Sequence, residues 1–409
     1  MGALAKPEVV MKKSICWLAP LAVLVVSLAA RADTVTDWAD KTTAIATDGP
    51  NTVRTMALAQ NAVYEAVNAI TARYPRDHVD LGLSKGASID AAIAAASHSV
   101  LLHEAPLLKP QTEAAYAQAL GAIAEGEARM RGISIGERAA ADVLAKHTDD
   151  IGTIEPYRPL TTPGAYVPTT FPLGYAYAQH RPWFMTSASQ FRPGPPPELT
   201  SALWARDYNE IKAVGALMST VRTSDQSEIA RFWATALPDV FIGIVRSAAT
   251  APGREVTRNA RLYAVVTAAI NEDEIAVQEA KYHYQFWRPI TAIRNGDRDD
   301  NPDTERDPDW TPLVVTPMSP EYPCGNCLYA ATVVAVIRAE AGHDPLPTLS
   351  TISNTAPGVT RHWTRTEDLV QEVSAGRIYD GVHFRNSTEV GSRMGEQIGA
   401  LLVAAYHLP

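Results

Sequence analysis

Alanine-rich stretches, in which apolar residues return every three or four positions, run through most of this chain and leave little room for anything but a helical fold. Ala57 to Ile70 (ALAQNAVYEAVNAI), Ala87 to Leu102, Gln111 to Met130 and Ser134 to His147 each gather their apolar residues on one helical stripe. Ser134 and Glu137 stand at capping-box spacing, which predicts that the fourth stretch begins there. The period-two alternation of half-buried strands is scarce. Residues 155–200 change character: Pro159, Pro163, Pro168, Pro172 and PGPPP at Pro193 to Pro197 predict an irregular strap or pocket rim. Helical periodicity resumes over Ser201 to Met218, Ser224 to Ala236, Thr257 to Phe286, Cys327 to Ala341, Glu367 to Ala375 and Glu389 to Ala405. The expected class is all-α, with an N-terminal helical half, 33–200, ending in the Pro-rich strap and a C-terminal half, 201–409.

The first 32 residues read as an export signal. Met11-Lys12-Lys13 is a short basic region, Ser14 to Ala30 is apolar, and Ala30-Arg31-Ala32 offers a small-residue cleavage site before Asp33. Met11 is a plausible start, since the ten residues before it add little to the signal. The protein is therefore expected to be exported, to the periplasm or beyond, with no later segment apolar enough to span a membrane. Cys16 lies inside the signal and Lys-Ser-Ile before it is no lipoprotein box, so the mature chain keeps only Cys324 and Cys327. A lone pair in an oxidising compartment can form a disulfide.

Net charge is −9, which argues against nucleic acid or an anionic membrane as partner. Any anion this protein binds must be held by a local cluster of basic groups. An acidic loop, Asp297 to Asp309, resembles a calcium loop only faintly: Pro302 stands where an EF-hand needs glycine and Pro308 where it needs glutamate. It reads as a solvated loop.

Three segments of the C-terminal half supply such a cluster. In KYHYQFWRP, Lys281 and Arg288 lie about two helical turns apart, and Pro289 biases Arg288 out of helical geometry, ending the helix there. In PEYPCGNC, Pro323 and Gly325 make a turn into an apolar helix whose N-terminus presents free amides, a generic anion site. Asn326 suits an N-cap there. In GRIYDGVHF, the Asp380-Gly381 turn bends the chain so that Arg377 and His383 can meet. Singly, each has a bland explanation as surface stripe, helix cap or structural histidine. Together, Lys281, Arg288 and Arg377 make three fixed cations around a tetrahedral oxyanion, with Gly325 as a further donor and His383 as a neutral nitrogen.

At these residues the chain resembles the vanadium-dependent haloperoxidases and the related type 2 phosphatidic acid phosphatases, whose pattern is K-x6-RP, PSGH, then SR-x5-H. Lys281-x6-Arg288-Pro289 and Arg377-x5-His383 match, with Gly376 for the serine, while the middle motif has Cys324 for serine and Asn326 for histidine. RTMALAQNAVYEAVNAI and the stretch from PPPELTSALW to EIARFW extend the likeness to the exported bacterial branch.

The resemblance implies the helical-bundle fold, vanadate or phosphate held by Lys281, Arg288, Cys324, Gly325 and Arg377, and His383 as vanadium ligand or nucleophile. Lys281 would polarise bound peroxide. It puts Asn326 at the general acid–base position, where an amide cannot exchange a proton near neutral pH. His343, His362 and Asp380 are the substitutes the sequence offers. Three functions follow as expectations: a haloperoxidase acting on peroxide and halide, a phosphatase cleaving phosphoesters through a phosphohistidine at His383, or an impaired oxyanion-binding protein. Cys324-Gly325-Asn326-Cys327 taken alone fits a C-x-x-C redox motif, but the expected βαβ context is missing and a disulfide bracing the turn is preferred.

Overall fold

The computed structural model describes residues 1–2, 33–47, 51–75, 85–168, 170–235 and 239–408. The export signal and Cys16 lie outside the described residues. The elements below all belong to one compact unit, Ala32–Pro409.

Helices α1 (Thr34–Thr47), α2 (Thr52–Thr71) and α3 (Ile89–Glu104) open the unit, followed by α4 (Lys109–Gly121) and α5 (Glu127–Lys146). Next come the strap and then α6 (Ala202–Val214), α7 (Ser224–Phe232), α8 (Asp239–Ala249) and α9 (Val256–Tyr284). A short α10 (Pro289–Arg294) and α11 (Gly325–Ala341) lead to a two-stranded ribbon, β1 (Leu349–Ile352) and β2 (Thr360–Trp363). Helices α12 (Thr366–Tyr379) and α13 (Arg385–Ala405) complete the order. The ribbon is antiparallel, with Leu349 opposite Trp363 and Ile352 opposite Thr360.

The 29-residue α9 is the axis. It is buried on every side over most of its length, and so it lacks a single apolar stripe and buries Asn271, Glu272, Asp273 and Glu274 along with its apolar residues. Helices α2, α11 and α13 pack against it, and α3 and α5 pack beyond α2. A second, aromatic cluster of Trp204, Tyr208, Phe286, Trp287, Tyr322 and Phe384 lies beside the C-terminal end of α9.

Several expectations are corrected. Gln111 to Met130 is not one helix: α4 stops at Gly121, and Gly126, at φ 144°, restarts the chain as the N-cap of α5. Ser134 therefore lies inside α5, and the capping box it forms with Glu137 on paper is absent. Helix α9 ends at Tyr284, because Gln285 takes a left-handed conformation and its N–H donates to the Lys281 carbonyl at 2.7 Å. Phe286 then bridges antiparallel to Ala165 in the strap. Arg288 is extended, at φ −79° and ψ 156°, and Pro289 starts α10 instead of ending a helix. The acidic loop is not simply solvated: Asp299 is buried and accepts from Trp204 Nε1 at 2.8 Å, and Asn301 Nδ2 donates to the Leu199 and Ser201 carbonyls. It clasps the start of α6. Among the described residues no single helix is long and apolar enough to cross a membrane.

Candidate oxyanion site

The last turn of α9 carries Lys281, the extended entry to α10 carries Arg288, the last turn of α12 carries Arg377, and the turn after α12 carries His383. All four side chains are buried. Helix α12 runs four residues beyond its predicted end, so Arg377 rides on a helix. Gly381, at φ 85°, then bends the chain so that the His383 N–H returns to the Arg377 carbonyl at 3.0 Å.

Each cation is oriented by backbone carbonyls. Lys281 Nζ donates to Pro320 O at 2.7 Å and Glu321 O at 2.9 Å. Arg288 donates from Nε to Ser319 O at 2.8 Å, from Nη1 to Val382 O at 3.0 Å and from Nη2 to Ser319 Oγ at 3.1 Å. The same Nη1 lies 3.1 Å from His383 Nε2. Arg377 Nη1 donates to Trp233 O at 2.5 Å and lies 2.8 Å from Asp380 Oδ2.

Because a guanidinium can only donate, Nε2 of His383 must be the acceptor and Nδ1 must carry the hydrogen. Nδ1–H then donates to Glu321 Oε1 at 2.8 Å, and the Phe384 N–H donates to the same oxygen at 3.0 Å. Glu321 is thus the group that sets the tautomer and aims Nε2. No sequence pattern marked it: it lies within PEYPCGNC without a family signature of its own.

Burial, followed by the Arg288, Lys281 and Arg377 charges, holds His383 well below the usual histidine range, so it is neutral near pH 7. Burial and the neighbouring Arg288 likewise push Lys281 down. Burial lowers Arg288 to about 10, still a cation at neutral pH. The two carboxyls move the other way. Burial raises Glu321 to about 7 against the pull of Arg288 and Lys281, and raises Asp380 to about 7 against Arg377.

Cys324, not Asn326, is the N-cap of α11. Its Sγ accepts the Cys327 N–H at 3.3 Å, and the two cysteines are joined in a disulfide. A disulfide sulfur has no hydrogen to donate, so in this redox form the turn offers backbone amides rather than a thiol. Asn326 points its Nδ2 at the carbonyls of Trp233 (3.2 Å) and Thr235 (3.1 Å), which makes it a clamp between α11 and the end of α7. A Cβ on Gly325 would meet nothing closer than 3.6 Å, so packing alone does not demand glycine over the helix N-terminus. Of the alternative proton carriers, His343 and His362 are exposed, while Asp380 is fully buried within the cluster.

Arg377 Nε is buried with no partner among the described residues, as are Glu321 Oε2 and Asp380 Oδ2 by hydrogen-bond geometry. Orphaned buried donors are rare in folded proteins, and this one lies among three cations facing a neutral imidazole. That donor set fits a tetrahedral oxyanion. A cleft of about 470 Å³ reaches Arg288 from outside, walled by Tyr166, Leu217, Leu313, Val315 and Met318.

Residues 261–408 match the family model of the VCPO second helical-bundle domain. A curated relative, the vanadium chloroperoxidase of Curvularia inaequalis, is 27% identical over 188 residues, covering 38% of this chain and 30% of that protein. The match therefore spans under a third of the relative's length. Among solved structures, a bacterial vanadium-dependent iodoperoxidase superposes with a TM-score of 0.76 at 22% identity, over 92% of this chain and 96% of that one. The holo form of a bacterial vanadium-dependent chloroperoxidase gives 0.70 at 18% identity, over 93% and 95%. At these identities the superpositions speak for the helical fold.

Proposed function

We propose, from the match of residues 261–408 to the VCPO second helical-bundle domain, that the buried cation cluster binds vanadate in support of peroxide-driven halide oxidation. The observation that carries this reading is the convergence of Lys281, Arg288 and Arg377 on a neutral His383, with Arg377 Nε left unpartnered. Lys281, Arg288, Arg377 and the first amides of α11 would hold the vanadate oxygens, and His383 Nε2 would face vanadium. Bound vanadate would supply the Lewis-acidic centre at which peroxide is activated.

The chain's own residues do the rest. Glu321 keeps the hydrogen on Nδ1 and so frees the Nε2 lone pair, once Arg288 Nη1 moves its donation to an oxyanion oxygen. Three cations in a site of low polarity stabilise negative charge far better than they would in water. Lys281 keeps one N–H beyond its two carbonyl partners and can polarise an oxygen placed before it. Asn326 orients but cannot transfer a proton, so turnover is expected to be low. Glu321 and Asp380, both raised to about 7, are the buried groups of the cluster able to exchange one at neutral pH.

The same pocket would accept phosphate, and a phosphatase using His383 Nε2 as nucleophile is the second reading. The double clamp on Asn326 counts against it, since leaving-group protonation has no donor at that position. Export belongs to the proposal as well; the Cys324–Cys327 disulfide favours an oxidising compartment.

Titration with orthovanadate, followed by bromination of a phenol dye with peroxide, tests the reading. Stoichiometric vanadate binding that disappears in His383→Ala, with slow bromination, is the expected result. Vanadate binding without any halogenation leaves an oxyanion-binding protein, and hydrolysis of p-nitrophenyl phosphate lost in His383→Ala would favour the phosphatase. Absence of binding by either oxyanion overturns the site.

A further inference from the structure

At the end of α9 remote from Lys281, three arginines gather on one carboxylate. Arg261 donates from Nε and Nη2 to Glu340 Oε2 at 3.0 and 2.7 Å. Arg258 donates from Nε to Glu340 Oε1 at 3.2 Å and from Nη2 to the Glu340 carbonyl at 2.9 Å. Arg254 donates from Nη1 to Glu340 Oε1 at 3.2 Å and from Nε to Asn259 Oδ1 at 2.8 Å. Glu340 is buried; Asp344, exposed at the rim, lies 3.3 Å from Arg258 Nη1, and Glu255, which accepts the Arg258 N–H at 3.2 Å, is paired with Arg73 at 2.8 Å. With Arg73 and Glu255 cancelling, the three guanidiniums of Arg254, Arg258 and Arg261 against Glu340 and Asp344 leave one positive charge over among the described residues. Arg254 Nη2 is buried and has no acceptor among the described residues.

This group forms one wall of a cleft of about 540 Å³, separate from the oxyanion site. Its other walls are apolar: Ala248 at the end of α8, Leu262 on α9, Ile337 on α11, and Pro345, Leu346 and Pro347 beyond it. A volume of this size suits a small organic molecule, and an apolar lining with a few converging polar groups is the usual composition of such sites. A purely structural ion cluster satisfies its buried donors, and this one leaves Nη2 unpaired on Arg254, a residue that lines the cleft.

We propose that the cleft binds a small amphiphilic monocarboxylate, its carboxylate on the Arg254 and Arg258 guanidiniums and its apolar body against Leu262, Ile337 and Leu346. The single surplus charge matches a monoanion, and the apolar walls favour an organic acid over inorganic phosphate or sulfate. A carboxylate accepts two parallel N–H donors from a guanidinium fork, which an alcohol cannot.

Calorimetric titration of the full chain with octanoate, octanol and octylammonium tests this. Octanoate is expected to bind with unit stoichiometry, and octanol and octylammonium at least about tenfold more weakly, the effect of one charge-assisted hydrogen bond. Arg254→Gln should weaken octanoate by a similar factor. Leu346→Trp fills the cleft without touching the arginines and should abolish binding while leaving the fold intact by circular dichroism. Added orthovanadate should leave octanoate affinity unchanged, which separates this cleft from the His383 cluster. No octanoate binding, equal affinity for octanol, indifference to Leu346→Trp, or displacement by orthovanadate would each overturn the proposal.

Discussion

Asn326 spends both hydrogens of its amide on carbonyls at the end of α7, and Arg377 donates to one of the same two, Trp233 O. Asn326, which we propose stands at the acid–base position, is therefore part of the scaffold that orients a cation. Asn326→His would restore a titratable group but keep at most one of these bonds. The expected outcome is a gain in bromination rate of about 10²-fold, with stability lower by about 1–3 kcal/mol. Peroxidase assays and urea midpoints on the same preparations check both. Asp380 gives a prediction with a definite sign. Its folded pKa is raised to about 7, so the unfolded chain releases this proton near pH 4 and the folded chain only near 7. Ionising it therefore lowers stability as pH rises through that window. The denaturant midpoint of Asp380→Asn relative to the parent should climb from pH 4 to 7 and level off above; a gap independent of pH would mean the carboxyl titrates normally. The cations and His383 were legible in the sequence because their spacing and order are specific. Glu321 was not, since its role comes from a fold that sets it opposite a histidine 62 positions away.

Helices α11 and α13 approach closely because α13 places glycines at 391 and 395 against the facing backbone. A Cβ at Gly391 would come within 2.3 Å of the Cys324 carbonyl, and one at Gly395 within 2.2 Å of the Leu328 carbonyl. Glycine costs a helix about 1 kcal/mol relative to alanine, so close packing must more than offset it here. Gly395→Ala is expected to destabilise by about 1–3 kcal/mol through overpacking, read from urea midpoints. Gly391→Ala should in addition weaken vanadate binding, because the atom it pushes belongs to the residue capping the oxyanion turn. Weakened stability with unchanged vanadate affinity would uncouple the two. Periodicity located most of the helices, while their ends depended on features it does not see. The break between α4 and α5 hangs on Gly126, and the end of α9 on a left-handed Gln285. Helices α1, α8 and α10 and the β1–β2 ribbon were missed altogether, being held by what they pack against rather than marked by periodicity.

Across the whole unit, the Pro-rich strap is tied down by a buried carboxylate. Glu272 of α9 accepts backbone N–H groups from Trp183 (2.7 Å), Phe184 (3.2 Å) and Met185 (2.8 Å). Composition marked this stretch as a strap, but an acid in the middle of a buried helix gave no hint of its purpose. Glu272→Ala leaves three backbone donors unmet, that of Met185 fully buried, and the expected result is faster proteolytic cleavage within residues 155–200; an unchanged digestion pattern would place the anchorage elsewhere. The carbonyls that orient the three cations come from residues 233, 319 to 321 and 382, segments far apart in the chain. An oxyanion seated among those cations has no counterpart site in the unfolded chain, so its concentration enters the folding equilibrium by mass action. At a hundred times its dissociation constant it would add about 2.7 kcal/mol to the unfolding free energy. Export into a vanadate-poor medium would then leave this chain both uncharged with its ligand and easier to unfold.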